Sequence, residues 1–164
     1  AQAAQPTRLL VTAGQATVAT RAAIEHQNRL KPLWNKKNKL SISYLSALSQ
    51  LDFDHLLWAC DLNFVRGEDS LVRALWAGKP FIWQIYPQND AAHLGKLGAF
   101  LDWLQAPASL RQFHRAWNGT GTSPGTLAPI DDAGWGQAVV AARTRLCARD
   151  DLTTQLLRFV LKNR

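Results

Sequence analysis

Apolar side chains fall in short runs near the start of the chain and at helical intervals further on. Arg8 to Thr12 is an apolar run that stops at Ala13-Gly14, as a buried strand does before a turn, and Ala16 to His26 then permits a helix. Ser41 to Ala47 is strand-like through Ile42, Tyr44 and Leu45. Ser49, with Asp52 three residues later, signals the start of a helix through Leu56 and Leu57. Leu62 to Arg66 reads as a third short strand. From Glu68 the period changes. Leu71, Val72, Leu75 and Trp76 are expected on one helical face, and Gly78 with Pro80 ends that helix before a strand over Phe81 to Tyr86.

Strands that alternate with helices in this way predict a mainly parallel sheet with right-handed crossovers, a Rossmann-like α/β domain with a helical C-terminal tail. The tail comprises Ala91 to Gln105, Leu110 to Trp117 and a stretch from Trp135 to Val160, with Asp150 or Asp151 restarting the last helix. Asn118 to Pro129 reads as loop. Gly119, Gly121 and Gly125 imitate a dinucleotide-binding fingerprint there, but no strand precedes them and Pro124 interrupts them. Asn118-Gly119-Thr120 has the form of a glycosylation sequon without a secretory signal to give it meaning.

Composition narrows the setting. The 164 residues, 47% apolar and 19% charged, suit a single domain over 1–164. The opening Ala-Gln-Ala-Ala-Gln-Pro, without methionine, reads as the lead-in to a fragment. No apolar run approaches the roughly 18 residues that span a bilayer, and no basic-then-apolar leader is visible, so a cytoplasmic setting is expected. Cys60 and Cys147 stand far apart with no second pair and no histidine cluster, which favours buried thiols over a disulfide framework or zinc site. A net charge of +7 favours anionic partners. The densest basic run, Lys31 to Lys39 around Trp34, suits a solvated loop or a surface that pairs phosphates while stacking a base.

The stretch richest in chemistry is Phe64-Val65-Arg66-Gly67-Glu68-Asp69-Ser70, where glycine joins the carboxyl end of a strand to the amino end of a helix. Open α/β sheets bind ligands at that edge. The free amides of a first helical turn carry the positive end of the helix dipole and can hold a pyrophosphate without a lysine. Ser70 adds a hydroxyl and Arg66 a cation. Glu68 and Asp69 would repel a pyrophosphate unless they turn toward sugar hydroxyls, capping amides or Arg66; equally, acidic residues in a first turn stabilise the helix alone. Tyr86 would end its strand on the same edge as Gly67. Phe53 fits a core position on an amphipathic helix more readily than a base platform, and Tyr86 and Trp83 likewise fit strand-core positions.

Two longer stretches, Leu51-Asp52-Phe53-Asp54-His55-Leu56-Leu57-Trp58-Ala59-Cys60-Asp61-Leu62-Asn63-Phe64-Val65-Arg66-Gly67-Glu68-Asp69-Ser70 and Arg73-Ala74-Leu75-Trp76-Ala77-Gly78-Lys79-Pro80-Phe81-Ile82-Trp83-Gln84-Ile85-Tyr86-Pro87-Gln88, resemble the signature of the elongation factor P arginine rhamnosyltransferases. The likeness is strong from Gln50 to Gln88 and looser from Asn89 to Leu101, with Ala92-His93-Leu94, and the helical tail agrees only in character. It implies the C-terminal half of a two-Rossmann-domain (GT-B type) inverting glycosyltransferase that uses dTDP-β-L-rhamnose to modify one arginine of elongation factor P. By that likeness Phe53 would stack on the thymine and Gln50 read its edge. Tyr86, Arg66, Asp69 and Ser70 would hold the diphosphate, and Glu68 would serve donor binding and turnover.

The family's N-terminal domain, with the acceptor surface and the general-base aspartate, is expected to be missing from this chain, which alone should be inactive. No cofactor or metal is expected, because dipole and arginine can meet the diphosphate charge and no set of aspartates demands a cation. Alternatives are a transferase for another nucleotide sugar, or a basic nucleic-acid or protein-binding module centred on Lys31 to Lys39. Hydrolytic chemistry lacks support: there is no nucleophile elbow, and His26, His55, His93 and His114 lack metal-ligand spacing.

Overall fold

The structure, a computed structural model, describes residues 6–36, 39–120, 127 and 129–162. The chain divides into two compact units, Ala1–Phe53 and Asp54–Arg164. In the first, strand β1 (Thr7–Val11) is followed by helix α1 (Gln15–Leu30) and strand β2 (Leu40–Tyr44), and helix α2 (Gln50–Ala59) begins. β1 and β2 pair in parallel from Thr7 opposite Leu40 to Val11 opposite Tyr44, and the Leu45 amide adds a bond to the Val11 carbonyl at 2.8 Å. α1 outruns its expected end at His26 because no breaker occurs before Lys31, which is extended ahead of Pro32. β2 stops at Tyr44, not Ala47, because its partner β1 has already turned away at Thr12. The start of α2 is as expected: the Asp52 amide donates to Ser49 Oγ at 3.1 Å, and the Ser49 hydroxyl donates to Asp52 Oδ2 at 2.6 Å.

The second unit contains strand β3 (Asn63–Val65), helix α3 (Glu68–Ala77), strand β4 (Phe81–Trp83) and helices α4 (Ala92–Leu104), α5 (Ala108–Trp117), α6 (Asp132–Cys147) and α7 (Leu152–Lys162). β3 and β4 are parallel, with Asn63, Phe64 and Val65 opposite Phe81, Ile82 and Trp83. Its core gathers all three β4 side chains with Leu71 and Leu75, Leu97 and Leu101, Phe113 and Trp135. Full burial of each large apolar side chain is worth about 1.5–3 kcal/mol. Trp135 meets Phe113 edge-on at 5.3 Å and gives its indole N–H to Ser109 Oγ, so its polar end is satisfied inside the core.

The pattern over α3 needs correction. Its buried stripe is Leu71, Ala74 and Leu75, whereas Val72 and Trp76 are 50% and 47% exposed. Positions 71, 74 and 75 cluster on one side at 3.6 residues per turn, and 72 and 76 lie one step further round the helix. Gly78, left-handed, closes α3, and Arg143 donates to the Trp76 carbonyl beside it. The stretch from Trp135 to Val160 is two helices, with the expected restart at Asp151. Asp131 caps α6 by accepting the Gly134 amide, and Asp151 caps α7 by accepting the Thr154 amide.

β4 is also shorter than the expected Phe81 to Tyr86. Its last rung is the Gln84 amide on the Val65 carbonyl at 2.8 Å, because β3 leaves the sheet at Arg66. The other edge of β4 is finished by side chains of α5. The Trp83 amide donates to His114 Nε2 at 3.0 Å, Asn118 Nδ2 donates to the Trp83 carbonyl at 2.9 Å, and the Ile85 amide donates to Asn118 Oδ1 at 3.0 Å. Since Nε2 accepts, Nδ1 carries the proton and donates to the Leu110 carbonyl. Burial pushes the His114 imidazole down to about 4.

Both cysteines are free: Cys60 is half-buried, with its thiol pushed up by burial, and Cys147 is exposed, so the expectation of two buried thiols fails for Cys147. Gly121, Pro124 and Gly125 of the glycine-rich loop lie outside the described residues. No helix among the described residues is long and apolar enough to cross a membrane.

Candidate functional site

Within the second unit, the turn between β3 and α3 brings together Arg66, Glu68, Asp69, Ser70 and Tyr86. Gly67 is the N-cap of α3 and has no side chain to cap it, and the first helical bond is the Leu71 amide to the Gly67 carbonyl at 3.0 Å. The amides of Asp69 and Ser70 therefore have no acceptor within the helix and none from a capping side chain. Such a pair, at the positive end of a ten-residue helix, suits an anion.

The turn is held from below and flanked on one side. The buried Trp83 donates its indole N–H to the Arg66 carbonyl at 2.8 Å, which fixes the backbone where the strand becomes helix. The Arg66 guanidinium lies over the Tyr86 ring, 4.8 Å from its centroid. A Cβ at Gly67 would touch that ring at 3.8 Å. Tyr86 is 49% exposed and lies three residues past the end of β4, so it is neither a core residue nor a strand end.

The two acidic residues find partners other than those expected. Glu68 accepts from Lys96 Nζ at 2.8 Å and Asp69 pairs with Arg73 at 3.4 Å, while Arg73 also binds Asp54 at 2.8 Å. Neither turns to Arg66. Lys96 and then Glu68's own amide hold the Glu68 carboxyl below its ordinary range, and the hydrogen bond that Arg73 donates to Asp54 keeps Arg73 more firmly protonated. Local pairing thus offsets the expected repulsion, and among the described residues Arg66 has no carboxylate partner.

Gln50 and Phe53 lie three residues apart on the first turn of α2, in the first unit, and share a helical face; Gln50 is exposed and Phe53 half-buried. Around Lys31 to Lys39, Trp34 gives its indole N–H to Asn28 Oδ1 at 2.7 Å, and the Asn35 side chain clamps both backbone groups of Leu40. Trp34 is therefore engaged locally; Lys37 lies outside the described residues. No group of three or more His, Cys, Asp or Glu among the described residues could hold a metal ion. Sequence reasoning missed Lys96, Trp83, His114 and Asn118. Each acts across 17 or more residues of chain, so no local spacing marks it.

Residues 1–161 match the family described as Elongation-Factor P (EF-P) rhamnosyltransferase EarP. The chain belongs to that family. Among similar curated proteins, the protein-arginine rhamnosyltransferase of Pseudomonas aeruginosa is 40% identical over 131 residues, and that of Pseudomonas putida 41% over 143. Each match covers 75% of this chain and 35% of the relative, so the chain spans about a third of the length of these relatives. A solved structure described as the structural basis for EarP-mediated arginine glycosylation of translation elongation factor EF-P matches with a TM-score of 0.72 at 34% identity. That match covers 99% of this chain and 54% of that one, and bears out the α/β, GT-B type fold class with its parallel strands and C-terminal helices.

Proposed function

We propose that this chain supplies the nucleotide-sugar-binding half of an inverting glycosyltransferase that moves rhamnose from dTDP-β-L-rhamnose to an arginine side chain of elongation factor P. The observation that carries the reading is the uncapped, glycine-led amino end of α3 beside an Arg66 stacked on Tyr86, at the carboxyl edge of parallel strands. Arg66 and Tyr86 hold the diphosphate together with the amides of Asp69 and Ser70 and the Ser70 hydroxyl. Glu68, oriented by Lys96, serves the sugar side of the donor and turnover. Phe53 stacks on the thymine and Gln50 reads its edge. Family membership supports the acceptor class, and a translation factor as acceptor goes with a cytoplasmic setting.

In the reaction, a guanidine nitrogen of the acceptor attacks the anomeric carbon as the bond from that carbon to the diphosphate oxygen breaks. Negative charge grows on the departing dTDP, where the helix amides and Arg66 meet it without a metal; single contacts of this kind are worth about 3 kcal/mol in well-studied enzymes. The proton lost from nitrogen goes to an aspartate in the part of the relatives' length that this chain does not span. The chain alone therefore binds donor without turning it over.

Titration by calorimetry or NMR with dTDP, dTDP-rhamnose, UDP and GDP tests the reading. Saturable binding that prefers thymidine nucleotides and weakens in Phe53→Ala and Arg66→Ala supports it. Preference for UDP or GDP would identify another nucleotide sugar. Salt-dependent oligonucleotide binding indifferent to dTDP would replace it with a nucleic-acid-binding module.

A further inference from the structure

We propose that Asn118 is a positioning residue for the diphosphate site: its carboxamide substitutes for an absent neighbouring strand and aims Tyr86 at the turn before α3. This rests on the function proposed above. Trp83 and Ile85 direct their backbone groups away from β3, since Ile82 and Gln84 face it. In a wider sheet another strand would bond them. Here the Asn118 side chain does so, donating to the Trp83 carbonyl at 2.9 Å and accepting from the Ile85 amide at 3.0 Å.

The polarity of that clamp is dictated by its partners. An amide N–H can only donate, so Oδ1 must face Ile85 and Nδ2 must face Trp83. Asn118 is itself fixed at the end of α5: its amide and its Nδ2 both donate to the His114 carbonyl. His114 bonds the Trp83 amide from the same helix. Together they hold two successive outward-facing residues of the segment that leads into Tyr86, after which Pro87 restricts Tyr86 to extended backbone. With no strand beyond β4 among the described residues, the segment from Gln84 to Tyr86 has the Gln84 amide on Val65 and the Ile85 amide on Asn118 to set its course. Removing the carboxamide frees the second of these, and the Tyr86 ring loses its place under Arg66.

The experiment combines Asn118→Ala with Tyr86→Ala in a double-mutant cycle on the full 164-residue chain. Its readout is the ratio of dTMP to dTDP dissociation constants. A general loosening of the fold weakens both ligands alike, whereas misplacement of Tyr86 weakens dTDP selectively. Asn118→Ala is expected to lower the preference for dTDP about tenfold, the scale of one lost charge-assisted hydrogen bond, and to have no further effect once Tyr86 is alanine. Asn118→Asp, which keeps the acceptor for Ile85, should retain part of the preference and covers the case in which the alanine variant does not fold.

A second readout needs no nucleotide. The chain has two tyrosines, so labelled tyrosine rings give two NMR signals, of which Tyr86→Ala identifies one, and that signal should move in Asn118→Ala. An unchanged ratio and an unmoved signal, with wild-type binding intact, overturn the proposal while sparing the function. Failure of the wild-type chain to prefer dTDP over dTMP overturns the functional reading and this inference with it; a Tyr86 signal that still moves then leaves only a conformational coupling.

Discussion

The chain makes the same local journey twice, from strand through glycine to helix, and the two passages differ in nearly everything that matters to a ligand. After β1, Gly14 sits at φ 93° and ψ −141°, a conformation that needs glycine, and α1 begins without an acidic residue in its first turn and buries no side chain. After β3, Gly67 has ordinary extended angles, φ −72° and ψ 160°, and α3 begins with two carboxylates, each held by its own cation, beside an arginine on a tyrosine. Glycine at 14 serves the backbone. Glycine at 67 is not required by its backbone and leaves room for close approach to the helix amides. The repeated topology therefore says less about function than what surrounds each turn.

The largest effect that can break this comparison concerns acid. His114 stands behind β4, and among the described residues β2 has no counterpart to it. Because its folded value is lowered from 6.5 to about 4, the unfolded chain takes up the proton first. The stability it contributes is whole above about pH 6.5 and is lost as pH falls from there through 4, at about 1.4 kcal/mol per pH unit and about 3 kcal/mol in all. Urea unfolding followed from pH 7 to 4 in the wild type and in His114→Gln checks this. The slope should flatten in the variant, and parallel curves would remove His114 as the cause.

Next come the glycines themselves. Gly14→Ala should cost about 1–3 kcal/mol, since alanine is forced into a region nearly reserved for glycine. Gly67→Ala should change stability by less than about 0.5 kcal/mol, because its added methyl meets Tyr86 at an ordinary 3.8 Å, yet it should weaken dTDP binding. Equal losses of stability at both positions, by thermal unfolding, would erase the distinction. The smallest effect is Lys96→Ala: the Glu68 carboxyl should rise back to its ordinary range in an NMR titration, with little change in stability for an exposed pair.

The alternation of short apolar runs with helical spacing placed every described strand and helix to within a few residues, because boundaries such as those at Ser49, Gly78 and Asp151 carry a local mark. The turn at Arg66 to Ser70 was legible for the same reason. The end of β4 was not: where it stops depends on β3 leaving the sheet and on Asn118 arriving from α5. The partner of Glu68 was equally hidden, since Lys96 lies 28 residues away and competes with Arg66 only once the chain has folded, whereas Asp69 pairs with Arg73 four residues on. Asn118 shows how local form misleads. Its sequon is a surface pattern in the sequence, and its carboxamide is spent on the backbone of β4.

The most direct test of the account is a calorimetric comparison of thymidine, dTMP and dTDP on the wild-type chain and on Arg66→Ala. If the amino end of α3 is a diphosphate site, affinity rises with each phosphate and the rise from dTMP to dTDP shrinks about tenfold or more without Arg66. Thymidine binding as well as dTDP, or an Arg66→Ala chain that keeps the full preference for the diphosphate, would contradict it.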